Sequence, residues 1–455
     1  MQPPLISVVI PARDSSKYLA SCLDSLKLST VRYECIVVDD GSTDDTPGVA
    51  KRAGAVVLST GRSTGPAHAR NIGAQASPCP LLLFIDSDVC VQPTTLARII
   101  EAFEADPELD ALIGSYDDQP FERDFLSQYR NLMHHFVHQQ ARREAQTFWS
   151  GCGAIRREVF LSSGGFDESF SRPSIEDIEL GYRLRSQNRK IALDRSLQVQ
   201  HLKEWSFWGL VKTDILYRGI PWTELILRDG RMPNDLNLNI SQRISVALVL
   251  ILGVVAIAAS LYHTAAFLAP CLALLYLMLG QYQVEVTVEQ RIKGRIVTAL
   301  LLVALTIASY LANQPWILIC CVLWSLLLFW RHHYYSPDLR NRRGISVICV
   351  VYFAAALILI LGHFSLEPVK LLFLLLFAAL IVLNARFYMV LAGKRGKLFA
   401  LAAIPFHLLF HLYSGLAFGF GFIRFYVAKP FRRDSRRNVP YGNEGKSDGA
   451  GACGS

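Results

Sequence analysis

The chain has 455 residues, 52% of them hydrophobic, and a net charge of +8, with a mean hydropathy of +0.29. That length exceeds one ordinary domain, and that hydropathy exceeds what a soluble protein usually shows. Residues 1–239 hold 26 Lys and Arg against 31 Asp and Glu, whereas residues 240–430 hold 15 against 4; the basic excess therefore lies between apolar runs, a pattern of membrane-flanking loops that gives no support to nucleic-acid binding.

In chain order, the first ~230 residues alternate short apolar runs with helical patterns, which predicts an α/β fold with a mostly parallel sheet. The runs are "ISVVI" (6–10), which Pro11 is expected to end, "ECIVVDD" (34–40), "AVVLS" (55–59) and "PLLLFID" (80–86). A helix over 17–28 is predicted from Leu19, Leu23 and Leu26. In such sheets ligands bind beyond the carboxyl ends of the strands. The first run, "LISVVI", is too short for a cleaved leader, so none is expected. The ten Cys show no metal-like spacing and read as reduced thiols, Cys271, Cys320, Cys321 and Cys349 among them lying in apolar runs.

From about 240 to 425 the composition predicts a polytopic α-helical membrane domain. Apolar spans fall near 244–262, 265–283, 296–312, 315–330, 345–362 and 369–391, each near the length a bilayer requires. A seventh segment, 398–425, is interrupted by Pro405, Gly415, Gly419 and Gly421. The loops 289–295, 331–344 and 393–397 are basic and alternate with loops nearly free of Lys and Arg. The positive-inside rule then places the head in the cytoplasm. Seven full spans would put the basic tail outside, so six spans with a seventh segment that is re-entrant or interfacial are expected. The tail over 430–455 reads as disordered.

Several stretches carry chemistry. The loop Pro11, Ala12, Arg13, Asp14 follows a strand and can frame a flat base; the plain alternative is a strand–helix connection. "VVDDGSTDDT" (37–46) reads as a strand end, a turn and a helix cap. A carboxylate there, such as that of Asp40, can accept from a base N–H or from ribose hydroxyls, or simply cap. Asp86 and Asp88 stand one residue apart after a buried strand. Two such acids repel unless a cation joins them, and oxygen ligands suit Mg²⁺ or Mn²⁺; the alternative is an Asx turn. Arg70 and Asn71 lie on a helix opened by Gly65 and Pro66. Gly151 and Gly153 in "FWSGCGAIRR" are places where backbone can approach a ligand. Ser174 and Asp177 fit a capping box, and the functional alternative for Asp177 is a general base. His201 ends a further predicted strand. "YRNLMHHFVHQQARRE" (129–144) is either a helix on the lipid surface or one packed on the head.

The ordered set "SVVIPARD", "VVDDGSTDD", "GPAHARNIG", "FIDSDV", "FWSGCGAIRR", "GGFDES", "EDIELGYRL" and "HLKEW" resembles glycosyltransferase family 2 over about residues 5–230. The resemblance implies a GT-A fold, a Rossmann-like catalytic domain over 1–235, and inverting transfer from a nucleoside diphosphate sugar. It implies base contacts from Pro11 to Asp14 and Asp40, donor contacts from Arg70, Asp86, Gly151, Gly153 and Glu176, a metal held by Asp88 and His201, and Asp177 as the base of the E-D motif. Family members usually show Asn where this chain has Asp14. The Gln/Arg-x-x-Arg-Trp motif of processive synthases is absent, "RGIPW" (218–222) being the nearest stretch, which favours addition of a single sugar. The trailing spans resemble those of membrane-anchored bacterial members and imply a lipid or lipid-linked acceptor at the inner membrane. A processive polysaccharide synthase, and a transporter or flippase with a nucleotide-sugar-binding head, are the alternative readings.

Overall fold

The computed structural model describes residues 3–257 and 368–432. The expected spans at 265–283, 296–312, 315–330 and 345–362, the loops 289–295 and 331–344, and nearly all of the tail lie outside the described residues. The chain divides into two compact units, one of residues 1–247 with 383–455 and one of residues 248–382. In the first, strands β1 (Ile6–Ala12), β2 (Glu34–Asp39), β3 (Val56–Ser59), β4 (Leu81–Ile85), β5 (Val89–Cys90), β6 (Leu109–Tyr116), β7 (Cys152–Arg156) and β8 (Lys190–His201) form one sheet. Their order is β3-β2-β1-β4-β7-β6-β8-β5.

The sheet is mixed, with four of its seven strand pairings parallel, in keeping with the expected mostly parallel sheet. β1 to β4 pair in parallel, but β7 lies antiparallel to both β4 and β6, and β5 antiparallel to β8. β1 runs on through Pro11 to Ala12, against the expectation that Pro11 ends it. The reason is in the register. β1 pairs with β4 only as far as Val9, so Pro11 faces a partner on the β2 side alone and its missing N–H leaves no ladder broken.

Side-chain alternation along the strands builds two apolar layers. Val8 and Ile10 of β1 and Leu83 and Ile85 of β4 meet helix α1 (Ser16–Lys27) through Leu19, Leu23 and Leu26. Val9, Leu82 and Phe84 face the other way, toward α3 (Pro66–Ala76) and an aromatic cluster. Phe84 lies 5.1 Å from the rings of both Phe160 and Phe166. Each such fully buried side chain contributes about 1.5–3 kcal/mol. The remaining helices of the head are α2 (Thr46–Arg52), α4 (Thr95–Ala105), α5 (Phe125–Gln140), α6 (Arg157–Ser162), α7 (Glu176–Ser186), α8 (Phe207–Lys212) and α9 (Ile220–Asp229), with a π-helix over Thr213–Gly219 joining the last two. α5 buries Leu132, Met133 and Val137, so the 129–144 stretch packs on the head and its apolar side faces protein. The five described cysteines, Cys22, Cys35, Cys79, Cys90 and Cys152, are free thiols.

Beyond the head, α10 (Ile240–Ile257) is apolar and long enough to cross a membrane. The expected 369–391 span is broken at Asn384 into α11 (Pro368–Leu383) and α12 (Ala385–Arg395). The 398–425 segment is one helix, α13 (Lys397–Arg432), which Pro405 and the three glycines do not interrupt. By length and composition α10 and α13 could each span, and α11 with α12 could form a third, broken span.

Gly65 precedes α3 at φ 103°, and an added Cβ would lie 2.6 Å from the main chain of Ser171. Gly65→Ala therefore meets both a left-handed backbone and a collision. It should lower stability by roughly 1–3 kcal/mol, read as a fall in Tm; an unchanged Tm would show that the Ser171 segment yields freely.

Candidate active site

β4 is buried along its whole length, and its carboxyl end releases Asp86, Ser87 and Asp88 at the surface of the sheet. The short β5 that follows pairs with the end of β8, setting Val89 opposite His201. The Leu202 N–H donates to the Asp88 carbonyl at 2.8 Å. This register brings Asp88 Oδ2 and His201 Nε2 to 3.8 Å. His201 stacks on the Tyr116 ring, centroids 4.3 Å apart, and burial holds its pKa down at about 3, with the Lys203 charge adding to the effect. Its imidazole is therefore neutral at physiological pH, the form in which it can bind a metal. Burial pushes the Asp88 carboxyl above its ordinary range. Among the described residues no group of three or more His, Cys, Asp or Glu could hold a metal. The Asp88–His201 pair nonetheless fits Mg²⁺ or Mn²⁺. It offers one hard oxygen and one neutral nitrogen, too far apart to hydrogen-bond, and such ions usually take their remaining ligands from water and substrate phosphates.

Arg70, on α3, is only 4% exposed. Its guanidinium donates to Asp86 Oδ1 at 2.7 Å and to Glu176 Oε1 at 2.9 Å, and lies 5.5 Å from the Phe166 ring centroid. Glu176 Oε2 accepts from the Ser174 N–H at 2.9 Å. The charges of Arg70 and Glu176 are thus paired within the chain, and together they fix the end of β4 to the start of α7. One oxygen of Asp86 is committed to Arg70. Asn71 ties the 166–168 loop to the same helix, donating to the Phe166 carbonyl and to Glu168, and accepting from the Phe166 N–H.

The expected capping box does not form. α7 begins after Ile175, no side chain caps it, and the Ser174 hydroxyl donates instead to the Tyr217 carbonyl at 2.5 Å. Asp177 in the first turn is free for another use. Its Oδ2 accepts from the N–H and hydroxyl of Ser150 at 3.1 and 3.2 Å, and its Oδ1 from the Ile178 N–H. Burial, helped by the neighbouring Glu176 charge and opposed by the Ser150 N–H, pushes its carboxyl up to about 6.

Asp40 is buried, and its carboxylate accepts from Thr60 and Ser63, from the N–H and hydroxyl of Thr64, and from the Gly65 N–H. Burial pushes its pKa up, but these donors outweigh it and the group sits below its ordinary range. Its carboxylate therefore holds the 60–65 loop, and this satisfied state leaves little of it for a base. Asp14 has φ 46°, a left-handed conformation in which Asn and Asp are enriched. Its Oδ1 accepts from the N–H and hydroxyl of Thr43, while Arg13 bonds Ser63. Pro11 and Ala12 are the last residues of β1. Gly151 and Gly153 serve packing: an added Cβ would strike the Trp149 ring at the first, and the Phe148 ring and Trp149 carbonyl at the second. Ser150 and Tyr116 were not singled out from sequence. Ser150 directly precedes Gly151 and carries no motif of its own, and Tyr116 reaches His201 only through the β6–β8 pairing.

The mixed, Rossmann-like sheet, with carboxylates, an imidazole and a buried arginine gathered at its strand ends, has the architecture of a GT-A domain. Residues 7–163, about a third of the chain, match the family described as Glycosyl transferase family 2, so the head carries a region similar to that family. Validoxylamine A glucosyltransferase of Streptomyces hygroscopicus is 28% identical over 229 residues, 42% of this chain and 54% of that protein. The 4,4'-diaponeurosporenoate glycosyltransferase of Staphylococcus haemolyticus is 34% identical over 134 residues, 28% of this chain and 30% of the relative. The chain thus spans about half or less of these curated relatives. A mannosyltransferase structure from Pyrobaculum calidifontis superposes with a TM-score of 0.45 at 19% identity, over 66% of this chain and 84% of that one.

The raised Asp177 pKa has a sign that can be measured. The unfolded carboxyl ionises near pH 4 and the folded one near 6. Stability from this group is therefore full below about pH 4 and lost as pH rises through 6. Asp177→Asn, which cannot ionise, should gain Tm relative to the wild type across that window, by a free energy on the order of 1–2 kcal/mol. A Tm that drops equally at every pH would identify Asp177 as a plain structural acceptor.

Proposed function

We propose that this protein is a membrane-bound, inverting glycosyltransferase that moves one sugar from a nucleoside diphosphate sugar to a hydroxyl of a lipid or lipid-linked acceptor. The observation that carries the reading is Asp177: a carboxylate held by Ser150, poised near neutral pH, and joined through Glu176, Arg70 and Asp86 to the strand end that bears Asp88. The loop from Pro11 to Asp14 and the 60–65 loop held by Asp40 frame the donor's base. Ionised Asp177 accepts the proton of the acceptor hydroxyl as that oxygen attacks the anomeric carbon from the face opposite the diphosphate, which inverts the configuration. Ser150 keeps the receiving oxygen oriented. Asp88 and His201 would hold Mg²⁺ or Mn²⁺, which when bound supplies positive charge for the departing diphosphate. Arg70 keeps Asp86 turned toward the same place.

The apolar helices support membrane attachment at the plasma membrane. The basic 393–397 loop supports a cytoplasmic head: Arg395 donates to Gln128 and to the Asp118 carbonyl, and Lys394 pairs with the Asp118 carboxylate. That loop therefore lies on the head's side, as the positive-inside rule requires. The acceptor, entering beside the membrane, is then a lipid or a lipid-linked glycan.

A panel of nucleotide sugars, assayed with and without Mn²⁺, tests the reading through two variants. Asp88→Asn should weaken Mn²⁺-dependent donor binding and transfer together. Asp177→Asn should leave donor affinity nearly intact and reduce transfer roughly 10²–10⁴-fold, the usual worth of a positioned base. Equal donor binding by Asp88→Asn with and without Mn²⁺, alongside undiminished turnover, would remove the metal from the mechanism.

Product length is a separate matter. With excess donor, mass spectrometry should find a single added sugar, because "RGIPW" carries Pro221 where processive enzymes carry Arg. A ladder of repeating sugar masses would overturn this.

A further inference from the structure

The helix α13 has the length and composition of a membrane span, yet it is fastened to the head along nearly all of its course. Near its start, Phe399 packs on Phe125 of α5 with ring centroids 4.8 Å apart. One to two turns on, Phe406 touches Phe125 and reaches Phe207 of α8. At mid-helix the Tyr413 hydroxyl donates to Asp214 Oδ2 at 2.7 Å, the carboxylate that Arg130 already grips with two nitrogens. Further along, Ala417 lies against Gly219 and Gly421 against Thr223, so closely that a Cβ on either glycine would collide. Near its end, Arg424 Nε pairs with Glu224 at 2.9 Å.

The helix rise from Phe399 to Arg424 is about 37 Å, more than the roughly 30 Å of a bilayer's hydrocarbon. A helix crossing the membrane would carry these contacts with it. The head surface from Phe125 to Glu224 would then have to pass through lipid, including the Arg130–Asp214 pair and the half-exposed Arg218 and Arg228. Charges at such depth cost several kcal/mol each. The side of α13 turned away from the head is apolar, and among the described residues it is exposed: Leu398 is 83% exposed, Leu401 64% and Ile423 60%. On the head, Trp208 is 77% exposed beside Phe207, which itself meets Phe406 of α13. Cations flank these apolar residues, with Lys394 and Lys397 at one end and Lys212 on α8. An apolar stripe bordered by Lys and aromatic side chains is the chemistry of a helix lying in a lipid headgroup layer.

We propose that α13 lies in the plane of the membrane surface on the head's side, its outer face in the lipid monolayer, and that the chain following it stays on that side. The inference rests on the membrane-bound reading above. It makes Trp208 and the outer face of α13 one lipid-docking surface, and it removes the conflict between a basic tail and an odd number of spans.

Nitroxide labels on Leu401→Cys, Leu416→Cys and Ile423→Cys, in the full chain with reactive native cysteines replaced, test it in vesicles of phosphatidylcholine and phosphatidylglycerol. Accessibility to oxygen and to a water-soluble nickel chelate reports depth. The three positions should lie at one shallow depth. A label on Val254→Cys in α10 gives the control for membrane insertion. Leu416 deep in hydrocarbon, with Leu401 and Ile423 at opposite interfaces, would overturn the proposal. So would all three labels in water while Val254 is in lipid. Water at Val254 as well would overturn the membrane-bound reading itself.

Discussion

Everything at this site hangs on one buried cation. Arg70 is enclosed between two carboxylates and an aromatic ring, and its Nε has no hydrogen-bond partner among the described residues. Burying an ion costs several kcal/mol unless geometry and hydrogen bonds offset it, and removing one partner of such a pair typically costs about 3–5 kcal/mol. Arg70 recovers that cost by joining three elements distant in sequence: α3 that bears it, the β4 end through Asp86, and the α7 start through Glu176. Asp177 follows Glu176 directly and Asp88 stands two residues beyond Asp86. Asp177 and Asp88, the two carboxylates proposed to act on the acceptor and the metal, are thus spaced by the same guanidinium. A lysine at this position would present one point charge in place of a fork, and could not bridge both acids.

Around this centre, other polar groups are used up in holding loops. Asp40 takes five hydrogen bonds from the 60–65 loop, and Asp14 takes two from Thr43. Residues that look like ligand contacts in a linear sequence therefore divide in the folded chain. Some hold loops, and a smaller group, Asp88, Asp177 and His201, is the one proposed to face the reaction. Those that hold loops are satisfied before any ligand arrives, which leaves the cleft preorganised.

The parts legible in the sequence were those with a local cause. The apolar run Leu81–Ile85 followed by two acids read directly as a buried strand ending in a cleft. The ordered motifs read as a family 2 domain. What failed depended on contacts far along the chain. The Ser174 hydroxyl was assigned to a cap, but the Tyr217 carbonyl claims it, so α7 starts one residue later than the motif suggests. Gly151 and Gly153 were read as places where backbone can approach a ligand, and the rings of Trp149 and Phe148 stand where a Cβ at these positions would be. The 129–144 pattern showed an apolar face, and periodicity cannot say whether sheet or lipid covers it. Hydropathy likewise cannot separate a helix through a bilayer from one along it. The β7 inversion left no trace in strand composition, because a buried strand reads the same in either direction.

The attachment of α12 and α13 to the head also has a consequence for how the protein is made. Arg395 reaches the Asp118 carbonyl across 277 residues and Tyr413 reaches Asp214 across 199. The ribosome therefore releases the head's sheet long before it supplies the helices that cover Phe125, Phe207 and the Arg130–Asp214 pair. Loop-closure entropy grows only slowly with such separations, so the contacts are affordable at equilibrium. In time they come last. During synthesis of the intervening chain, the head carries an open apolar seam, the kind of surface on which aggregation begins and chaperones act. A head cut off after residue 235 would keep that seam permanently.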